Sequence, residues 1–282
     1  MIKTPLQDNV TTSITGTLTA IPIENESATG SSTRSAEPIP NPVSFATDSW
    51  ATIQKAVQDN NTSAYNIGDT KTVTINNTDY TVRIANKSKA ASCSNSNYSE
   101  TACGFVVEFT DIITTMAIRS DNKTIEGGYP ATDVYTYINN ILYSQLPIDL
   151  QKVIKTTRVV SGYGCKEYNL DFYECINPDN NGSNFITNDK LYLLSSTEVT
   201  GYDDADSSRN MTTIFDYYSL FSSAENVQKK YQGSNYDWLL RNPVNNVWAI
   251  EDSTRFRVID SSGYISINMI QLLGVSPAFR IG

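Results

Sequence analysis

Apolar residues shortly after Ser44, near the start of the part of the chain that is predicted to fold, recur at the spacing of a helix. Trp50, Ile53 and Val57 share one helical face, and Asp48 or Ser49 stands before them as a possible N-cap. Residues 50–58 are therefore predicted to form an amphipathic helix.

The pattern then changes to the two-residue period of β-strands. The runs "TKTVTI" and "YTVRIA" flank residues 76–79, whose sequence Asn-Asn-Thr-Asp is typical of a hairpin turn. The next run, "GFVVEFTDII", has apolar residues at both odd and even positions over part of its length. This pattern predicts a longer strand in the centre of a sheet.

A second helix is predicted over "ATDVYTYINNILYSQL", and Pro147 ends it or opens a further short helix. Its apolar stripe consists of Val134, Tyr137, Ile138, Ile141 and Leu142. "KLYLLS" is predicted to be a short strand, and "TTIFDYYSLFSSAENVQKKY" one or two helices.

The last 45 residues alternate short apolar runs with turn residues, as in "DWLLRNP", "RFRVID", "SSGYIS" and "PAFRIG". Phe279 and Ile281 alternate with Ala278 and Arg280 at the very end, as in a half-buried strand. The pattern as a whole predicts an α+β fold with short antiparallel strands, two or more helices and long loops.

Residues 1–42 differ from the rest because they are rich in Ser, Thr and Asn and end in a proline cluster. We interpret 1–42 as an extended N-terminal arm and linker, and 43–282 as the folded domain. The arm is either an attachment peptide that docks on a larger assembly or a disordered tail.

Composition excludes several classes of function. The chain of 282 residues contains no histidine, which excludes Ser-His-Asp and Cys-His catalysis and imidazole metal sites. Its net charge is −9, and no basic run is longer than Lys229–Lys230, so nucleic acid is not an expected partner. No apolar run predicts a signal peptide or a membrane insertion.

The four cysteines fall into two pairs, each ten residues apart, and no C-x-x-C motif is present. Two local disulfides, Cys93–Cys103 and Cys165–Cys175, are the preferred interpretation. Four reduced thiols are the alternative, and the sequence alone does not choose among the three possible pairings.

The clustered acidic residues give little support for a metal site. Asp203, Asp204 and Asp206 lie close enough in sequence to hold Ca²⁺, but EF-hand spacing fails, and a solvated acidic loop is favoured. We therefore expect no metal and no cofactor.

Four other carboxylates lie beside apolar runs: Glu108, Asp111, Glu198 and Asp237. Nothing in their spacing pairs them as an acid and a base. Buried structural hydrogen bonding is the favoured role for each.

Several stretches give the chain a resemblance to known domains from Val43 to Gly282. They include "DSWATIQKAV", "YNIGDTKTVTI", "ACGFVVEFTDIITT", "YINNILYSQLPIDLQKVI", "TNDKLYLLSSTEV", "WLLRNP" and "GVSPAFRIG". On these stretches the chain resembles a widespread family of uncharacterised domains in gut bacteria and their phages. The resemblance implies a C-type-lectin-like fold, related to formylglycine-generating enzymes and to the variable proteins of diversity-generating retroelements.

In such variable proteins a fixed motif precedes a diversified stretch, and a fixed terminal strand follows it. The residues that match the fixed parts are Trp238, Leu240, Arg241 and Pro243 before the stretch, and Gly274, Pro277, Phe279 and Arg280 after it. The resemblance implies that the chain's end pairs with an early strand. The resemblance does not imply the catalytic cysteines of formylglycine-generating enzymes or Ca²⁺-dependent sugar binding, because the sequence lacks the motifs for both.

The expected function is therefore non-enzymatic binding through a variable C-terminal face. The candidate contacts are Asn245, Val247, Trp248, Ile250, Asp252, Arg255, Arg257, Tyr264, Ile267, Asn268 and Met269. The expected partners are a host-surface protein or glycan receptor and, through residues 1–42, a virion or cell-surface scaffold.

The alternative is a structural virion component, such as a head decoration or fibre tip, that forms a homo-oligomer. Its subunit contact would then be the apolar cluster Met269, Ile270, Leu272 and Leu273. A carboxylate enzyme is a third hypothesis, which the absence of paired acids disfavours.

Overall fold

Most of the folded part of the chain lies in two five-stranded sheets with helices around them. The computed structural model describes residues 38–87, 103–120, 126–169, 174–201, 216–244, 256–268 and 272–282. Within the chain, Ile39–Gly282 form one compact unit. The fold is α+β, with mostly antiparallel strands and few helices.

The helices are short. They are α1 Trp50–Gln58, α2 Asp133–Thr136, α3 Tyr143–Gln145, α4 Ile148–Val153, α5 Ser196–Thr200 and α6 Ala224–Val227. A π-helical segment, Tyr137–Leu142, joins α2 to α3, and 3-10 turns span Tyr129–Ala131, Asp179–Gly182 and Ser219–Ser222. Among the described residues, no helix is long and apolar enough to cross a membrane.

The strands follow in chain order. They are β1 Thr70–Ile75, β2 Thr78–Asn86, β3 Val106–Phe109, β4 Thr114–Met116, β5 Ile154–Lys155, β6 Thr157–Ser161, β7 Cys165–Asn169, β8 Glu174–Pro178, β9 Phe185–Asp189, β10 Lys230–Tyr231, β11 Ser234–Asn235, β12 Trp238–Pro243, β13 Phe256–Ile259, β14 Ile265–Asn268, β15 Leu273–Val275 and β16 Ala278–Ile281.

Two sheets carry the architecture. The first has the order β1-β2-β3-β16-β5, and the second has the order β14-β13-β12-β15-β4. Strand β12 is central in the second sheet, where it pairs antiparallel with β13 and parallel with β15. Three two-stranded sheets, β6-β9, β7-β8 and β10-β11, complete the topology.

The first helix and the first hairpin are confirmed. Ser49 is the N-cap of α1, since its side chain accepts a hydrogen bond from the Thr52 amide at 3.1 Å. Strands β1 and β2 form the predicted hairpin, but its turn is shorter than residues 76–79, because Ile75 pairs with Thr78. The two turn residues, Asn76 and Asn77, both have positive φ angles, as a tight hairpin turn requires.

The predicted stripe of the second helix is wrong at Ile141, whose side chain is 48% exposed. Val134, Ile138 and Leu142 are buried, so every fourth residue faces the core. The π-helical segment widens the helical turn and rotates Ile141 out of the stripe.

Three other predictions are corrected. The strand predicted from "GFVVEFTDII" is central but spans only four residues, Val106–Phe109. "KLYLLS" forms no strand and contributes only one bridge, Tyr192 to Ala278, although its residues 191–195 are buried. In the described part of "TTIFDYYSLFSSAENVQKKY", the helices are only single turns.

Candidate ligand-binding face

Strand β12 is the buried support of the C-terminal face. All six of its residues are buried, and the Trp238 indole Nε1 donates to the Val227 carbonyl at 3.0 Å. Because both neighbours of β12 belong to the C-terminal region, this strand fixes the position of the sheet that carries the predicted face.

Arg241 anchors β12 through a fully buried ion pair. Its guanidinium Nη1 lies 2.6 Å from the Glu198 carboxylate Oε2, and neither side chain is exposed. The same nitrogen donates to the Leu193 carbonyl at 2.8 Å, and Nε donates to the Val160 carbonyl at 2.9 Å. Arg241 thus ties β12 to three separate parts of the chain.

Glu198 is held in place as firmly as its partner. It closes a capping box with Ser195 at the start of α5, and its second oxygen accepts from the Tyr218 hydroxyl at 2.8 Å. Burial alone would raise the pKa of Glu198, but the Arg241 guanidinium and these hydrogen bonds lower it below its usual value. The carboxylate therefore stays ionised.

A second buried charge cluster joins the two sheets. The Glu108 carboxylate on β3 lies 2.6 Å from Lys229 Nζ and 2.6 Å from Arg83 Nε. The Lys229 ammonium also lies 4.9 Å from the centre of the Trp238 ring on β12. The favoured role of Glu108 and Glu198, buried hydrogen bonding, is what the structure shows.

The other two carboxylates beside apolar runs also accept backbone hydrogen bonds. Asp111 Oδ1 accepts from the Lys230 amide at 3.0 Å, and Asp237 Oδ1 accepts from the Ser261 amide at 2.8 Å. Within the described ranges, no group of three or more Cys, Asp or Glu side chains is placed to hold a metal ion. Asp203, Asp204 and Asp206 lie outside the described residues.

The terminal strand β16 is an interior strand of the first sheet. It pairs with β3 on one side and β5 on the other, and all four of its residues are buried. The Phe279 ring contacts Trp50 and Phe109 edge to face, with ring centres 6.5 and 6.3 Å apart. The chain's end is therefore part of the core.

Two further residues of the fixed terminal motif have steric and hydrogen-bonding roles. At Gly274, an added Cβ would lie 2.4 Å from the Ile112 side chain and 3.0 Å from the Asp237 carbonyl, so the close approach of β15 to β12 requires glycine. The Pro277 carbonyl accepts from the Phe109 amide at 3.2 Å.

Strands β13 and β14 form a hairpin at the edge of the second sheet. Its turn is fixed by Asp260, whose Oδ1 accepts from the amides of Ser262 and Tyr264, both at 2.9 Å. Gly263 takes the positive φ angle of 89° that the turn needs. The hairpin thus carries a defined outer surface on the buried β12 support.

Three of the predicted contact residues are described on this hairpin with their side chains. Tyr264 is 72% exposed, Ile267 is 37% exposed, and Arg257 is partly exposed. Arg257 lies directly opposite Ile267 in the register, so both lie on the same face. Asn268 ends β14 opposite Phe256, and its side chain is not described.

The remaining predicted contacts lie outside the described residues: Asn245, Val247, Trp248, Ile250, Asp252, Arg255 and Met269. The residues that border their segment are described. Pro243 pairs with Phe256, and Phe256 pairs with Asn268, so these three strand ends lie side by side.

The two described residues of the apolar cluster proposed for subunit contact differ in their exposure. Leu272 is 60% exposed, whereas Leu273 is 1% exposed and packs in the main core. Leu273 is therefore wrong as a contact residue, because it faces inward from β15. Met269 and Ile270 lie outside the described residues.

One predicted disulfide is confirmed. Cys165 and Cys175 are bonded and link β7 to β8. Cys103 is also disulfide-bonded, but Cys93 lies outside the described residues.

Sequence reasoning missed the cationic partners of the buried carboxylates. Arg83 lies between two buried apolar residues of β2, whereas Lys229 lies between Gln228 and Lys230, where no neighbouring apolar run marks it as buried. A charged residue inside an otherwise apolar run is a signal for a buried ion pair, but the sequence does not say with which carboxylate.

The comparison with known families shows to which family the chain belongs. Residues 104–282, more than half of the chain, match the family described as Domain of unknown function (DUF6273). The chain belongs to the DUF6273 family. The DUF6273 match covers β3 to β16 and therefore both buried carboxylates, Arg241, Lys229 and the terminal strand. No curated protein and no solved structure matches the chain.

Proposed function

We propose that this DUF6273 protein is a non-enzymatic binding protein with a C-type-lectin-like fold. It is displayed on a phage virion or a cell surface, and its C-terminal face binds a host-surface protein or glycan receptor. Residues 1–42 attach it to the virion or surface scaffold.

The observation that carries this proposal is the contrast across the second sheet. The supporting strand β12 is buried and ion-paired, whereas Tyr264 and Ile267 on the neighbouring hairpin project into solvent. A rigid support with exposed aromatic and apolar side chains is typical of a binding surface, whose side chains can vary without unfolding the domain.

Two further observations support the proposal. The disulfide Cys165–Cys175 fits a protein that works in an oxidising environment, as virion and surface proteins do. The interior position of β16 agrees with the fixed terminal strand of retroelement variable proteins, which the diversified stretch precedes.

The proposal is tested with fluorescently labelled protein on a panel of gut bacterial isolates and on a glycan array. We expect saturable binding to a subset of isolates or glycans, and loss of that binding in Tyr264→Ala. Tyr217→Ala is the matched control, since Tyr217 is also an exposed tyrosine, 44% exposed, outside the hairpin. No saturable binding, or equal loss in both variants, contradicts the proposal.

The second candidate is a structural virion component that forms a homo-oligomer. The exposed Leu272 favours it, because an apolar side chain 60% exposed beside the hairpin is suited to a subunit contact. Sedimentation velocity over a hundredfold concentration range distinguishes the two: oligomers that Leu272→Ser dissociates support this candidate, and a monomer throughout argues against it.

A further inference from the structure

The disulfide of Cys103 lies against a buried positive charge. Cys103 precedes β3 and is partly exposed, whereas Arg280 on the neighbouring strand β16 is only 3% exposed. The guanidinium Nη1 of Arg280 donates to Cys103 Sγ at 3.6 Å. A cation this close to the sulfur stabilises a thiolate much more than a disulfide, because only the thiolate carries a charge.

No carboxylate among the described residues forms an ion pair with Arg280. Glu198 and Asp216 attract its guanidinium from beyond ion-pair distance, and Glu198 has another cation as its direct partner. The Tyr192 hydroxyl, a neutral group, also interacts with the guanidinium. A thiolate at Cys103 would therefore give Arg280 an anion in direct contact.

The second disulfide has the opposite surroundings. Cys165 is 1% exposed, and its Sγ lies 3.1 Å from the Glu167 carbonyl oxygen and 3.9 Å from the Asn177 carbonyl oxygen. Carbonyl oxygens are the negative ends of peptide dipoles, so they disfavour a thiolate at this position. In addition, the pairing of β7 with β8 holds Cys165 close to Cys175, which favours the closed bond.

The opening of a disulfide by a small thiol depends on which sulfur leaves. The attacking thiolate bonds to one sulfur, the S–S bond breaks, and its electron pair leaves on the other sulfur. The sulfur with the more stable thiolate leaves faster, and the contact with Arg280 gives this property to Cys103.

A second small thiol completes the exchange by displacing the first from the protein as a small-molecule disulfide. Two small thiols are thus oxidised while one protein disulfide is reduced. Of their two protons, one goes to the other cysteine of the bond and one goes to solvent, since Cys103 remains a thiolate.

We propose that Cys103 beside Arg280 is a thiol-exchange site, at which low-molecular-weight thiols open the disulfide while Cys165–Cys175 stays closed. The two disulfides then have different roles. The bond between β7 and β8 is structural, whereas the bond of Cys103 responds to the concentration of thiols around the protein. The response occurs next to the terminal strand, because Arg280 belongs to β16.

The site is tested on the full-length oxidised protein with reduced glutathione as the small thiol. After incubation under native conditions with increasing glutathione, thiols are alkylated with iodoacetamide and mapped by peptide mass spectrometry. We expect half-alkylation of Cys103 at a glutathione concentration at least about tenfold lower than that for Cys165. Equal concentrations, or earlier opening of Cys165, would overturn the proposal.

The direction of the exchange is a second readout of the same experiment. In samples quenched early, we expect Cys103 to be alkylated and glutathione to be attached to the other cysteine of the bond. Glutathione attached mainly to Cys103 would show that Cys103 is not the leaving sulfur, and the proposal would fail.

The role of the guanidinium is tested with Arg280→Met, after cooperative melting has shown that the variant folds. We expect the glutathione concentration that opens the Cys103 disulfide to rise about tenfold, because the thiolate loses its cation. Arg158→Met, at a partly exposed arginine of β6, is the matched control and leaves this concentration unchanged. Unchanged selectivity in folded Arg280→Met contradicts the assignment.

A measurement on the unsubstituted chain does not depend on the folding of a variant. After the disulfide has been opened under native conditions, the alkylation rate of Cys103 is followed from acidic to alkaline pH. We expect its half-maximum at lower pH than that of free cysteine, and a half-maximum at the same or higher pH overturns the proposal. The site is independent of the proposed receptor face, so loss of receptor binding in Tyr264→Ala does not bear on it.

Discussion

The Glu198 carboxylate lies 2.6 Å from the Arg241 guanidinium, and both side chains are completely buried. The pair joins α5 to the strand that supports the candidate binding face. Breaking one partner of such a pair leaves an uncompensated buried charge, which is more costly than the pair's net contribution to stability.

The first prediction concerns this pair. We expect Glu198→Gln to lower the free energy of unfolding by about 3–5 kcal/mol, as is typical when one partner of a buried ion pair is removed. Urea unfolding followed by circular dichroism measures it. Glu126→Gln is the control, because its exposed ion pair with Lys166, at 3.7 Å, is worth at most about 1 kcal/mol. Equal effects of the two substitutions would contradict the structural role of Glu198.

The second prediction concerns the chain's end. Removing residues 278–282 deletes the interior strand between β3 and β5, so we expect the whole domain to unfold rather than lose a tail. Removing only Gly282, whose carbonyl accepts from Gln54 Nε2 at 3.0 Å, is the control and is expected to preserve cooperative melting. If the protein without 278–282 melts cooperatively at the original temperature, β16 is not part of the essential core.

The third prediction is a pH dependence at Lys229. Burial and, to a smaller extent, the nearby Arg83 lower the pKa of Lys229 from 10.5 to about 8, because Glu108 only partly opposes their effects. In the unfolded chain the ordinary value near 10.5 applies, so between pH 8 and 10.5 the unfolded state binds more protons. The contribution of Lys229 to stability therefore rises with pH through this window and falls as pH decreases toward 8.

The measurement compares wild type with Lys229→Met from pH 7 to pH 10. We expect the difference in their free energies of unfolding to shift in favour of wild type as pH increases, by at most about 1.4 kcal/mol per pH unit. The comparison is needed because the buried tyrosines Tyr129 and Tyr218, whose pKa values burial raises, contribute in the opposite sense near pH 10. A difference that is constant over this range is the contradicting result.

The fourth prediction concerns the disulfide between β7 and β8. We expect the double variant Cys165→Ala and Cys175→Ala to lose about 2–3 kcal/mol, in keeping with the short loop that the bond closes. The double variant is preferable to reduction, since a reductant also acts on the disulfide of Cys103. A loss below about 0.5 kcal/mol would show that hairpin pairing alone holds these strands.

Much of the fold follows from local sequence patterns. The face of α1, the turn at Asn76 and Asn77 and the burial of Phe279 were all predictable, because each depends on residues close together in the chain. The exposure of Ile141 was not predictable from a helical period, since it depends on a π-helical segment that changes that period.

The supports of the candidate face depend on distant residues. Glu198 and Arg241 are 43 residues apart, and Glu108 and Lys229 are 121 apart, so only the tertiary fold decides which charges meet. The strands β6 to β9 were also missed, since polar residues and cysteines interrupt their alternation. Tyr264 is exposed, and its role as a contact residue stays a prediction.

The central claim is that the β13–β14 hairpin binds a receptor while β12 supports it. The direct measurement is a binding titration of Tyr264→Ala on the isolate or glycan that wild type recognises, together with its melting temperature. The account predicts at least a tenfold loss of affinity, with stability changed by no more than about 0.5 kcal/mol, because the ring is 72% exposed. Undiminished affinity of a normally folded Tyr264→Ala variant would contradict it.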